Sequence, residues 1–218
     1  MRKWYEYGDK KSAELFKKIK KEFKRSRLTL DFDGLNVMKA KSVTTNLYKR
    51  LDKMNRMYMQ DVADNAYREA QLEVKPEDKP SKLPAKWLIT LLLAYNAVTK
   101  YVYDHEVDRK RARLFEATMA DKYAEDQLEL ISDYTAACNA WLLMAEEYII
   151  DVEDAATLEG YADSGVKRVR WRAEIDSRTC EICQARDGVI FPIDDVPSKP
   201  HYRCRCTLEP IIGEDGGD

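Results

Sequence analysis

Cys180 and Cys183 form a C-E-I-C pair, and His201, Cys204 and Cys206 follow in H-Y-R-C-R-C. Four of the five cysteines and one of the two histidines therefore fall between positions 180 and 206. Thiolate and imidazole are the ligands zinc prefers, and a two-residue gap lets both sulfurs of a tight turn point at one ion at about 2.3 Å. Five candidates compete for four tetrahedral places. If 204–206 is extended, Cys204 and Cys206 face the same way, so one would be a ligand and the other a neighbour; the spacing does not choose between them.

Other cysteine chemistry fits less well. A chain of 218 residues can bury a core without disulfide staples, and its lysine-rich start lacks the apolar run of a secretory signal. A structural zinc, or reduced cysteines in a zinc-type geometry, is expected. A catalytic thiol would need a base, and no histidine outside the cluster is placed to serve. His105, in Y-D-H-E-V-D-R-K, has no second histidine four residues on, so the zinc-protease pattern fails. The deaminase pattern also fails, because Glu106 is adjacent to His105 and Thr179 precedes the cysteine pair. Cys138, in A-A-C-N-A-W-L-L-M, reads as a small apolar residue on a helix face.

The elements that must position this cluster are mostly helical. With 44% hydrophobic residues, 35% charged and eight glycines, the composition is that of a helix-rich globular chain. The net charge of -2 hides segregation: basic residues dominate 1–30 and 164–206, and acidic ones dominate 104–163. From Ser12 to Arg27, Leu15, Phe16, Ile19 and Phe23 recur at helical spacing with lysines opposite. Lys17, Lys18, Lys20 and Lys21 are candidate contacts for nucleic acid or an acidic partner surface. Asp33-Gly34 breaks the pattern. A long helix to Glu73 follows, with Leu47, Leu51, Met54, Tyr58 and Val62 on one side; Met54, Met57 and Met59 read as core or interface residues. Pro76, Pro80 and Pro84 then interrupt a polar stretch. Trp87–Tyr103 is the most apolar segment, too short to span a bilayer, and is expected to be a buried helix. A further helix over 124–154 carries Leu128, Ile131, Tyr134, Ala137, Trp141, Met144 and Ile149. These stripes are expected to pack as a bundle around Leu51, Leu91, Tyr95, Leu128 and Trp141.

The character changes at Ser164-Gly165. Val169, Trp171 and Ala173 alternate with Arg168, Arg170 and Arg172, the pattern of a half-buried strand. Asp187-Gly188 between apolar runs favours a hairpin; if Gly188 adopts positive φ there, a side chain at that position would be strained. The expected fold is α+β and mainly α: a long-helix bundle followed by a small β-rich module with a zinc-like Cys/His cluster. The expected division is a helical body over 1–163, with a proline-rich linker near 75–84, and a module with an acidic tail over 164–218.

The run from Trp171 through Asp176, Arg178-Thr179-Cys180, Cys183 and Asp187-Gly188 to His201 and Cys204-Arg205-Cys206 resembles the C-terminal signature of the phage Mu F-like head morphogenesis family. It departs at Tyr202, where many relatives have a proline. The resemblance implies a structural minor head protein of a tailed phage or prophage, associated with the portal protein and other head proteins. It also implies a place in the virion, in the head interior or portal region, after assembly in the host cytoplasm, and in some relatives contact with packaged DNA. Neither a membrane nor a small-molecule substrate is implied. The tail after Ile212 leaves no segment for an appended toxin or enzyme, so no catalysis is expected. The competing reading is a zinc-ribbon-like nucleic-acid-binding protein, with Arg168, Arg170, Arg172, Arg203 and Arg205 lining a phosphate-facing surface.

Overall fold

The computed structural model describes residues 3–29, 37–102, 104–105, 109, 127–201 and 203–213. The Asp33-Gly34 break, Glu106 and Tyr202 lie outside these residues, as do the side chains of Leu128, Ile131 and Tyr134. The elements in chain order are α1 (Lys3–Leu28), α2 (Val37–Val74), α3 (Ala85–Val102), α4 (Gln127–Asp163), β1 (Arg168–Arg172), α5 (Glu181–Arg186), β2 (Ile190–Pro192) and β3 (Thr207–Pro210). The fold is mainly helical with one small antiparallel sheet. Two compact units form: residues 11–58 with 90–146, and residues 1–10 with 59–89 and 147–218.

In the first of these units the helical stripes are buried as their spacing predicts. Leu15, Ile19 and Phe23 of α1, Leu47 and Leu51 of α2, and Trp141 and Ala145 of α4 are almost fully enclosed. Tyr48 meets Trp141 edge-on, with centroids 6.3 Å apart. Among the buried polar groups, Asn55 donates to the Tyr95 hydroxyl and Thr99 to the Tyr95 carbonyl at 3.0 Å. Met57 is exposed, while Met59, which belongs to the other unit, is buried.

Helix α3 departs from expectation. It is not a buried helix: its buried residues are Tyr95 and Thr99, Leu91 is half-buried, and Leu93 and Tyr101 are 63% and 60% exposed. High apolar content says that burial would be favourable; only neighbours on more than one side can provide it.

In the other unit, the three-stranded sheet has the order β2-β1-β3. Val169 and Trp171 of β1 point inward and are almost fully buried, as the alternation predicts. They join Leu208, Ala70 of α2 and Tyr161 of α4 in one core cluster. Close approach at Gly160 helps build this platform, since an added Cβ would lie 2.5 Å from the Tyr67 carbonyl oxygen. The 75–84 stretch is held by Ser81, whose amide donates to Gln71 Oε1 at 2.7 Å. The hairpin expectation is corrected. Asp187-Gly188 does not directly join two strands but follows α5 and leads into β2, with Gly188 at φ +78°. A helix inserted after β1 separates strands that nevertheless pair antiparallel, Val169 opposite Phe191.

Candidate metal centre

Helix α5 presents the C-x-x-C pair. Cys180 is its N-cap, and its Sγ accepts the Cys183 amide at 3.4 Å. This places Cys180 at the rim and Cys183 inside, 2% exposed. The second half of the cluster follows β2. Arg203 adopts φ +58°, a left-handed bend between His201 and Cys204. Cys204 and Cys206 both turn inward and are buried, although β3 begins only at Thr207.

Two triads result, Cys180/Cys183/His201 and Cys183/Cys204/Cys206, each with ligand atoms within 4.8 Å of one another. They share Cys183, whose Sγ lies 3.3 Å from His201 Nε2 and 3.6 Å from Cys204 Sγ. A tetrahedral zinc with ordinary bond lengths separates neighbouring ligand atoms by about 3.5–3.8 Å, so the donor types and the spacing around Cys183 fit a metal. Local electrostatics differentiates the thiols. The Cys183 amide holds Cys180 below the usual thiol range, while burial pushes Cys183 up to about 12. Between the last two thiols, the hydrogen bond with Cys206 raises Cys204 and the hydrogen bond with Cys204 lowers Cys206.

Ion pairs fasten the two halves of the cluster. Arg205, between Cys204 and Cys206 in sequence, reaches Asp176 at 2.7 Å and Glu174 at 3.1 Å. Asp176 also accepts the Arg178 amide at 2.8 Å, and these contacts hold its carboxyl well below the usual range. Lys199, two residues before His201, is pinned to Asp154 of α4 at 2.9 Å and lies over the Tyr5 ring. Burial opposes its charge, but Asp154 outweighs that and keeps the ammonium protonated. This clamp was not legible beforehand, since nothing in P-S-K-P distinguishes a buried lysine from a solvated one.

The candidate arginine surface is largely committed. Arg170 lies opposite Glu209 in the β1–β3 register, and Glu209 bridges Arg170 at 3.6 Å and Arg172 at 2.8 Å. Arg168 and Arg203 also have contacts of their own. On α1 the outcome divides. Lys18 lies over the Tyr58 ring, 4.9 Å from its centroid, whereas Lys17, Lys20 and Lys21 are exposed. His105 stacks on Tyr101 at 3.8 Å and bonds its carbonyl, and Cys138 is buried with its thiol pushed up to about 11.

The family model of phage Mu protein F-like proteins matches residues 94–209, more than half of the chain. The chain belongs to this family. The match includes all five candidate metal ligands and ties this Mu F-like protein to the phage head. No significant match appears among curated proteins or solved structures. Among the described residues, no helix is long and apolar enough to cross a membrane.

Proposed function

We propose that this Mu F-like protein is a structural minor head protein, built into the phage head together with the portal. Its Cys/His module holds one structural zinc through Cys180, Cys183, His201 and one of Cys204 or Cys206, the other being a buried neighbour. The observation that carries this reading is where the cluster sits. Cys183, Cys204 and Cys206 share one core with Trp171, Leu208 and Tyr161, so a metal there would complete a small core. A catalytic zinc keeps a position open for water or substrate, beside an acid or base. The nearby acids have other work: Asp176 binds Arg205, and Asp187 accepts the Ala173 amide at 2.9 Å. The role is therefore one of assembly, without chemistry at the cysteines. The zinc-ribbon nucleic-acid reading loses support because Glu209 offsets Arg170 and Arg172.

The test is co-expression with a portal protein from the same phage or prophage, with mass spectrometry of purified virions and metal analysis of protein isolated without chelator. Co-purification with the portal, presence in heads and close to one zinc per chain are expected. Absence from heads would overturn the assembly role, and a Cys180–Cys183 disulfide in place of metal would overturn the zinc.

A further inference from the structure

His201 is the candidate donor that the local fold fixes least. Cys180 and Cys183 are carried by α5, and Cys183, Cys204 and Cys206 are buried in one core cluster. His201 is exposed, and the described residues from 193 to 206 contain neither helix nor strand. Whatever anchors this segment therefore decides whether the imidazole stays within reach of Cys183 Sγ, 3.3 Å away. Two anchors lie just before it. Arg186 of α5 donates to the Ser198 carbonyl at 2.9 Å. Lys199, its side chain 8% exposed, sets its ammonium against Asp154 of α4 at 2.9 Å. Asp154 uses both oxygens, Oδ2 for Lys199 and Oδ1 for the Tyr5 hydroxyl, which donates at 2.9 Å. Pro200 then joins Lys199 to His201. A proline locks its own φ and holds the preceding residue extended, and two residues span at most about 7 Å. The link from anchor to imidazole is short and stiff.

We propose that Lys199, seated on Asp154 against the Tyr5 ring, is the positioning residue that gives the metal an imidazole ligand, and that without this seat the spare thiol replaces His201. The inference rests on the zinc reading and goes beyond it by naming what selects the donor set. Selection is needed because the cluster is oversupplied. The triads Cys180/Cys183/His201 and Cys183/Cys204/Cys206 share Cys183, so either Cys204 or Cys206 is left over when His201 binds. Four thiolates suit tetrahedral zinc as well as three thiolates and one imidazole do. An exposed histidine on an irregular segment has more freedom to lose on binding than a thiol already enclosed. Anchoring through Lys199 removes that freedom beforehand, as outer partners do for metal-binding histidines generally. Stability alone does not account for the pair, because an enclosed ion pair gains little over an apolar pair of similar size. What it adds is a fixed geometry two residues from the ligand.

The experiment loads the full chain with zinc and counts its sulfur and nitrogen neighbours by X-ray absorption, with the visible spectrum of the cobalt(II) form as a second reading. Wild type should show three sulfurs and one imidazole. K199M/D154N removes the seat without stranding a charge or changing the net charge. It should shift to four sulfurs, matching His201→Ala, with zinc affinity lower on the order of 10-fold. Glu73→Gln loosens the same core elsewhere, at the Tyr161 hydroxyl bond of 2.5 Å, and should keep the imidazole. Pro200→Gly leaves the ion pair and every donor in place while slackening the link. It should lower zinc affinity about tenfold, and it carries the test if K199M/D154N does not fold. Retention of the imidazole in K199M/D154N, its loss in Glu73→Gln as well, or undiminished affinity in Pro200→Gly would each overturn the proposal. The two readings fail separately: four sulfurs in the wild type would remove the role of Lys199 and leave the zinc, whereas a wild type that takes up no metal removes the zinc and the role with it.

Discussion

The C-terminal module and helix α1 are both rich in cations and use them in opposite ways. In the module Arg170, Arg172, Arg205 and Lys199 turn to Glu209, Asp176 and Asp154, and the charge holds the module together. On α1, Lys17, Lys20, Lys21 and Lys24 face solvent. A count of basic residues would rank R-V-R-W-R with the lysine stretch as a polyanion surface. Cross-strand pairing separates them, because strand neighbours such as Arg170 and Glu209 stand side by side, whereas Lys17, Lys20, Lys21 and Lys24 have no ion pair among the described residues.

Converting Cys180 and Cys183 to Ser should produce the largest effect. A structural zinc contributes roughly 10–16 kcal/mol of apparent binding energy to such modules. Hydrogen-exchange protection over 165–212 should collapse while that of residues 11–58 persists, and incorporation into heads should fall. Equal protection in variant and wild type would show that ion pairs and core contacts suffice without metal.

Next is Lys199→Met. Its side chain is 8% exposed and that of Asp154 16%, so the change strands a largely enclosed carboxylate, at a cost of about 3–5 kcal/mol. Denaturant unfolding measures it. A loss of well under about 1 kcal/mol would place the lysine in the class of surface charges.

Glu153 tests the same buried cluster by pH. It is 4% exposed, and burial first, then Asp154, raises its pKa well above 4.5, against the opposing effect of Lys199. The folded state therefore binds a proton that the unfolded state releases between pH 4.5 and the raised value. This contribution is fully present below the unfolded pKa and is lost as pH rises through the folded one. Thermal melts should show Glu153→Gln gaining stability relative to wild type at pH 7 and losing that advantage near pH 4.5. A constant difference across this range would mean that Glu153 does not titrate there.

The smallest effect belongs to Arg172→Gln. Its ion pair with Glu209 is about half exposed on the arginine side, and such pairs contribute about 0.2–1 kcal/mol. A loss above about 2 kcal/mol in chemical denaturation would mean that the β1–β3 pairing depends on this charge.

The sequence by itself determined what short-range periodicity and spacing encode. Leu15, Ile19 and Phe23, then Leu47 and Leu51, mark their buried faces at helical period; Val169 and Trp171 mark theirs at period two; the C-x-x-C and H-x-x-C-x-C spacings mark a cluster able to hold a metal. Tertiary structure decided everything that depends on what lies across a contact. It left most of α3 exposed despite its apolar sequence, placed α5 where Asp187-Gly188 suggested a hairpin, and set Glu209 against two arginines. It also buried Lys199 against Asp154, an ion pair between residues 45 positions apart. Hydrophobic pattern records which face gains by leaving water, but a charge or an apolar side chain acquires its role only from the neighbour that folding brings to it.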